Sequence, residues 1–242
     1  MTAALWYAFA AALGNVAGGL CAVRGVRLGL KLIEGLVAFG AGFMLSVAIV
    51  EVLPEALARG GTGAAGVVLL GYLLVHLTQH TATQHFHFGE ETHVVTKAAG
   101  TSALIGLLLH TFFDGVAIAS GFAVSGKLGV LLFLAVLLHK LPEGVTICSL
   151  EVAAGRSSGR AVGSAAILGA ATVLGVLLTD GVAVLAAHGL ALSAGVTIYV
   201  GASNLVPEFQ GKPGWRLPAA FFVGAGGFFA ARMLLESLGL GG

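Results

Sequence analysis

Eight apolar stretches, most of them about as long as a bilayer is thick, make up this chain. A membrane helix needs about 20 mostly apolar residues. The stretches are Ala3–Val23, Ile33–Leu53, Gly63–Thr78, Ala98–Val124, Leu128–Leu150, Ala161–Leu185, Leu190–Val206 and Leu217–Leu235. Only 10% of the residues are charged, against about 25% in a soluble domain. Too few polar groups remain to cover a globular surface, so lipid must be the solvent. The reading is an all-α membrane protein of eight transmembrane helices, a single transmembrane domain over residues 1–242. The first stretch lacks the basic flank of a cleaved signal peptide and is read as a span.

Net charge is +1, which gives no call for an acidic partner such as nucleic acid. Cys21 and Cys148 lie in apolar stretches and make no disulfide framework. Gly is abundant, at 38 residues. Small residues let membrane helices approach closely, because association in lipid rests on packing.

The positive charges set a direction. Odd-numbered loops carry Arg24, Arg27, Lys31, Lys97, Arg156, Arg160, Lys212 and Arg216, whereas even-numbered loops carry Arg59 and Lys127. Lys and Arg mark the cytoplasmic side. The odd loops are therefore expected inside and both termini outside.

The spans also hold charges that lipid disfavours, at about 2.5 kcal/mol or more each. The fourth holds His110 and Asp114, and the fifth His139, Lys140 and Glu143. In both, a histidine stands four residues before an acid, so the two share a helix face. Each acid is followed by Gly, Val, one residue and Ile. Joined by a short loop, these spans run antiparallel and their faces can meet across a two-fold axis in the membrane plane. Midplane sites in inverted repeats are a common transporter plan. Two imidazoles and two carboxylates suit zinc, and also Fe²⁺, Mn²⁺ or Co²⁺. Pro142 removes an amide beside Glu143 and frees the Leu138 carbonyl, a kink that can turn both toward the ion.

Two weaker features accompany the pair. The second span ends Glu51-Val-Leu-Pro54-Glu55 and the seventh Asn204-Leu-Val-Pro207-Glu208. With spans 1–3 and 6–8 as inverted repeats around spans 4 and 5, these motifs form the two mouths of one pathway. The loop 80–97 carries His80, His85, His87, His93, Glu90 and Glu91, a cytoplasmic tract able to hold metal weakly.

Together these residues resemble the ZIP (Zrt/Irt-like) metal transporters, bacterial type. The span-4 pattern of that family stands here as His110, Thr111, Asp114 and Gly115, and the span-5 pattern as His139, Lys140, Pro142, Glu143 and Gly144. A family motif at the end of span 2 appears with Glu51 in place of its histidine, then Pro54 and Glu55. The resemblance implies import of a divalent ion toward the cytosol, zinc first, often by a homodimer in the bacterial inner membrane. It places the ion on His110, Asp114, His139 and Glu143. The positions that hold a second ion in many relatives are Thr111 and Lys140 here, so one ion is expected. A zinc-dependent intramembrane hydrolase is the rival reading; it would need an open coordination position, which four paired ligands leave closed.

Overall fold

Without water in a bilayer core, each backbone amide must find its partner within the chain, and a helix does this locally. The computed structural model describes residues 2–25, 29–82 and 97–239, and its regular elements there are helical. In chain order they are α1 (Thr2–Val23), α2 (Leu30–Ser46), a π-helical segment (Val47–Val52), α3 (Leu53–Gly60), a 3₁₀ turn (Gly61–Gly63) and α4 (Ala64–Ala82). Then come α5 (Lys97–Val124), α6 (Gly126–Ala153), α7 (Ser158–Thr179), α8 (Ala183–Tyr199), a second π-helical segment (Val200–Leu205), α9 (Pro207–Gln210) and α10 (Arg216–Ser237).

Seven continuous helical stretches among the described residues are long and apolar enough to cross a membrane. One of them, Leu30–Thr81, runs 52 residues and contains the second and third sequence-predicted spans. Several boundaries shift outward. The helix of the third span reaches Ala82, so His80 is helical rather than part of the loop. The seventh belongs to a stretch from Ala183 to Gln210. α6 stays continuous through Pro142, and the Leu138 carbonyl lies beside Gly40 of α2.

Between α5 and α6 stands one residue, Ser125, in extended conformation, whose hydroxyl accepts from the Leu128 amide at 3.1 Å. This N-cap satisfies an end amide that α6 itself cannot pair.

Among the described residues, four helix crossings bring backbones together through a reciprocal pair of glycines. A Cβ on Gly18 of α1 would stand 2.2 Å from the Leu141 carbonyl of α6, and one on Gly144 2.0 Å from the Asn15 carbonyl. The α5–α7 crossing matches it, with Gly115 against Thr172 at 1.9 Å and Gly175 against Phe112 at 2.1 Å. α2 meets α10 through Gly42 on Phe221 and Gly224 on Phe39, both 2.0 Å. α4 meets α8 through Gly71 on Leu192 at 2.1 Å and Gly195 on Val68 at 1.9 Å. No larger residue fits at these points, and close approach of this kind is what holds helices together in lipid.

The crossings sort the helices. α1, α5, α6 and α7 pack on one another; α2 packs on α10, and α4 on α8. The two groups meet chiefly where α5 touches α8 and α6 touches α2. The same chain offset relates Phe39 to Leu192, Gly42 to Gly195, Gly71 to Gly224 and Pro54 to Pro207, and it superposes the two π-helical segments in number. The offset from His110 to His139 relates Gly115 to Gly144.

Candidate metal centre

α5 and α6 each present a histidine and an acid one helical turn apart, and the packing of the two helices brings the four together. His110, Asp114, His139 and Glu143 are all buried, at 3%, 5%, 3% and 8% exposure. Each can offer one ligand atom, and these atoms all lie within 4.8 Å of one another. The imidazole rings stand 5.6 Å apart. Asp114 is central: its Oδ2 is 3.3 Å from His139 Nε2 and 3.4 Å from His110 Nε2.

The tautomer of His139 follows from its partners. Its Nδ1 lies 2.9 Å from the Ala135 carbonyl, which can only accept, so Nδ1 donates. In the neutral ring Nε2 then carries a lone pair, and that lone pair faces the Asp114 carboxylate. Two electron-rich atoms at this distance call for a cation between them, a metal ion or a proton. Helical backbone orients the imidazole here, a role that outer hydrogen bonds commonly fill for metal-binding histidines. Neither ring nitrogen of His110 makes a hydrogen bond among the described residues. A buried histidine in that state is available to a ligand.

Lys140 supplies a cation of the protein's own. Its side chain is fully buried, and its ammonium lies 2.7 Å from Asp114 Oδ2 and 2.7 Å from Glu143 Oε2. Thr111 donates to the other Glu143 oxygen at 2.8 Å. The two residues singled out in sequence as replacing a second ion's ligands therefore both touch the carboxylates. The bond from Thr111 to Glu143 crosses between helices and had no signal in sequence spacing.

Other sequence candidates lie elsewhere. Glu51, in the first π-helical segment, is 2.9 Å from Arg232 of α10 and 3.8 Å from Lys127 of α6. Glu55 pairs with Arg59 on α3. Asn204 and Glu208 are half-buried, in the second π-helical segment and at the start of α9. His80 sits exposed in the last turn of α4, its Nδ1 2.9 Å from the His76 carbonyl and its ring 4.0 Å from that of His76. His85, His87, Glu90, Glu91 and His93 lie outside the described residues.

The family profile described as ZIP Zinc transporter matches residues 95–231, more than half of the chain and all of α5 and α6. Zinc transporter ZIP13 of Pongo abelii is 29% identical over 204 residues, covering 76% of this chain and 61% of that protein. Zinc transporter ZIP9-A of Xenopus laevis is 26% identical over 157 residues, 60% of this chain and 52% of that one. Zinc transporter zipt-7.1 of Caenorhabditis briggsae is 25% identical over 238 residues, 72% and 61%. The chain thus spans between half and two thirds of the length of these relatives. With its helices long and apolar enough to cross a bilayer, this is an integral membrane protein, and it belongs to the ZIP zinc transporter family.

Proposed function

We propose that this chain carries a divalent transition-metal ion, zinc first, across the bilayer toward the cytosol, holding it on His110, Asp114, His139 and Glu143. The observation that carries the reading is the buried group of His110, Asp114, His139 and Glu143, whose ligand atoms all lie within 4.8 Å of one another, with His139 Nε2 3.3 Å from Asp114 Oδ2. Imidazole nitrogen and carboxylate oxygen together suit zinc, whereas calcium and magnesium prefer oxygen alone. The two carboxylates cancel the charge of the ion where the dielectric is low. The chain works as a carrier, not an enzyme, and forms one transmembrane domain.

Eight crossings fit this reading. As one rod, Leu30–Thr81 would measure about 78 Å, more than twice the roughly 30 Å of a hydrocarbon core. Gly61 within it has φ +58 and opens the 3₁₀ turn between α3 and α4, a backbone conformation that glycine allows and at which a chain can turn. The stretch therefore crosses twice, and α1 to α4 become an inverted counterpart of α7 to α10. The shared offsets and the matched glycine crossings support that arrangement, with α5 and α6 as the central pair. Both termini then lie outside, since eight spans return the chain to the side it left and the odd loops hold most of the Lys and Arg. The bacterial inner membrane and a homodimer are the setting and assembly that the family resemblance implies.

Lys140 makes it a one-ion site. In the ion-free protein its ammonium neutralises Asp114 and Glu143, which would otherwise repel each other. Loading requires the carboxylates to leave the ammonium for the ion. A second divalent ion beside a fixed positive charge in a poorly polarisable interior would be repelled. Uptake into proteoliposomes with competing divalent ions tests the reading. Wild type should accumulate zinc and Glu143→Ala should not; equal uptake by both would refute it.

A further inference from the structure

Four charged side chains form a closed ring at the end of the molecule where α5 passes into α6. Lys127 of α6 is 3.1 Å from Glu236 of α10 and 3.8 Å from Glu51 of the first π-helical segment. Arg232 of α10 is 2.9 Å from Glu51 and 3.1 Å from Glu236. Lys127 and Glu51 are each only 15% exposed. Two cations and two anions thus alternate, and the ring is neutral.

The ring joins the two helix groups. Glu51, Arg232 and Glu236 belong to the α2–α10 group, and Lys127 belongs to the group that holds the candidate site. One ammonium therefore fastens the site-bearing helices to the rest at this end. Isolated exposed pairs contribute little, but a half-buried network with shared partners is costlier to open.

The positions related to the ring at the other end do not repeat its charges. The offset between the two halves carries Glu51 to Asn204 and Arg232 to Gln79, both uncharged. It carries Glu236 to Thr83, outside the described residues. The offset between α5 and α6 carries Lys127 to Ala98; Lys97 stands next to it, but no acid occupies any of the four related positions. Backbone crossings recur by these offsets, but the charges of the ring do not.

We infer that the Lys127–Glu51–Arg232–Glu236 ring is a one-sided latch that holds the two helix groups closed at the Ser125 end while the site carries no ion. In a carrier built from matched halves the two end-states start nearly equal, and a single asymmetric contact decides which is populated. The inference rests on the carrier reading for its purpose, but not for its test.

Ser120 of α5 supplies a reporter. It is 8% exposed, and its hydroxyl oxygen stands 2.7 Å from where a Cβ on Gly189 of α8 would be, at the boundary between the groups. The full chain would carry Ser120→Cys, with Cys21→Ala and Cys148→Ser. Labelling by a water-soluble maleimide is timed without metal in the parent and in Lys127→Gln, Glu236→Gln and Lys127→Arg. Lys127→Gln and Glu236→Gln should label about tenfold faster or more, the shift that follows when a minor open state gains one decade of population. Lys127→Arg should label as the parent does. Parent-like rates in both glutamine variants, with melting temperatures showing them folded, would overturn the latch. Zinc titration of the same variants keeps the questions apart: parental affinity with faster labelling supports latch and carrier together, and faster labelling with no zinc bound by any chain supports the latch while removing the carrier reading.

Discussion

The ammonium of Lys140 lies 2.7 Å from the Asp114 carboxylate, with no part of the lysine side chain exposed. A lysine in that position is held entirely by the acids it touches. Its removal leaves two buried carboxylates facing each other without a counter-charge. Breaking a buried ion pair from one side costs about 3–5 kcal/mol. Lys140→Ala should therefore melt well below wild type without metal and recover most of that loss with saturating zinc. Calorimetric titration should still count one ion. Lys140→Asp should bind a second ion or accept a wider range of them, and two ions bound by wild type would contradict the one-ion account.

The glycine crossings give a test of the packing. Gly144→Ala would drive a Cβ to 2.0 Å from the Asn15 carbonyl, and Gly115→Ala to 1.9 Å from that of Thr172. Backbone must shift in both, at about 1–3 kcal/mol or more. Gly163→Ala meets nothing within 4 Å and should be neutral or slightly stabilising. Melting in detergent should separate the first two from the third.

Protons compete with a metal for its ligands, because imidazole and carboxylate bind it in their deprotonated forms. Ion flux should fall as the pH on the entry side drops from about 8 to 5, the range in which histidine takes up charge. Initial uptake rates across that range check this, and a flat profile would argue against histidine ligation.

Much of the site was legible in the sequence because periodicity states it. His110 and Asp114 must share a face at four residues apart, and the repeat of that spacing at His139 and Glu143 marks a second element of the same kind. The reach of Lys140 to Glu143 follows from the same arithmetic. Its second contact, to Asp114, depends on how two helices meet, which spacing within one helix cannot give. The ring of Glu51, Lys127, Arg232 and Glu236 was hidden for that reason: its members come from three distant segments. The π-helical segments were hidden too, since an extra residue in a turn changes the register without changing composition. Even the reciprocal glycines were visible only as an abundance until carbonyls were placed opposite them.

His80 sits exposed on α4 and is not a member of the buried group. Replacing His80, His85, His87 and His93 together should alter the rate or regulation of uptake and leave one ion bound per chain. Loss of all binding in that variant would move the site out of the membrane.

That variant is also the right background for the most direct test of the central claim, that one ion sits between α5 and α6. Zinc-edge X-ray absorption of the loaded protein reads its first neighbours without interference from the tract. The account predicts two imidazoles and carboxylate oxygen at about 2.0–2.2 Å, with one imidazole lost in His110→Ala and one in His139→Ala. An unchanged imidazole signal in both variants would contradict it.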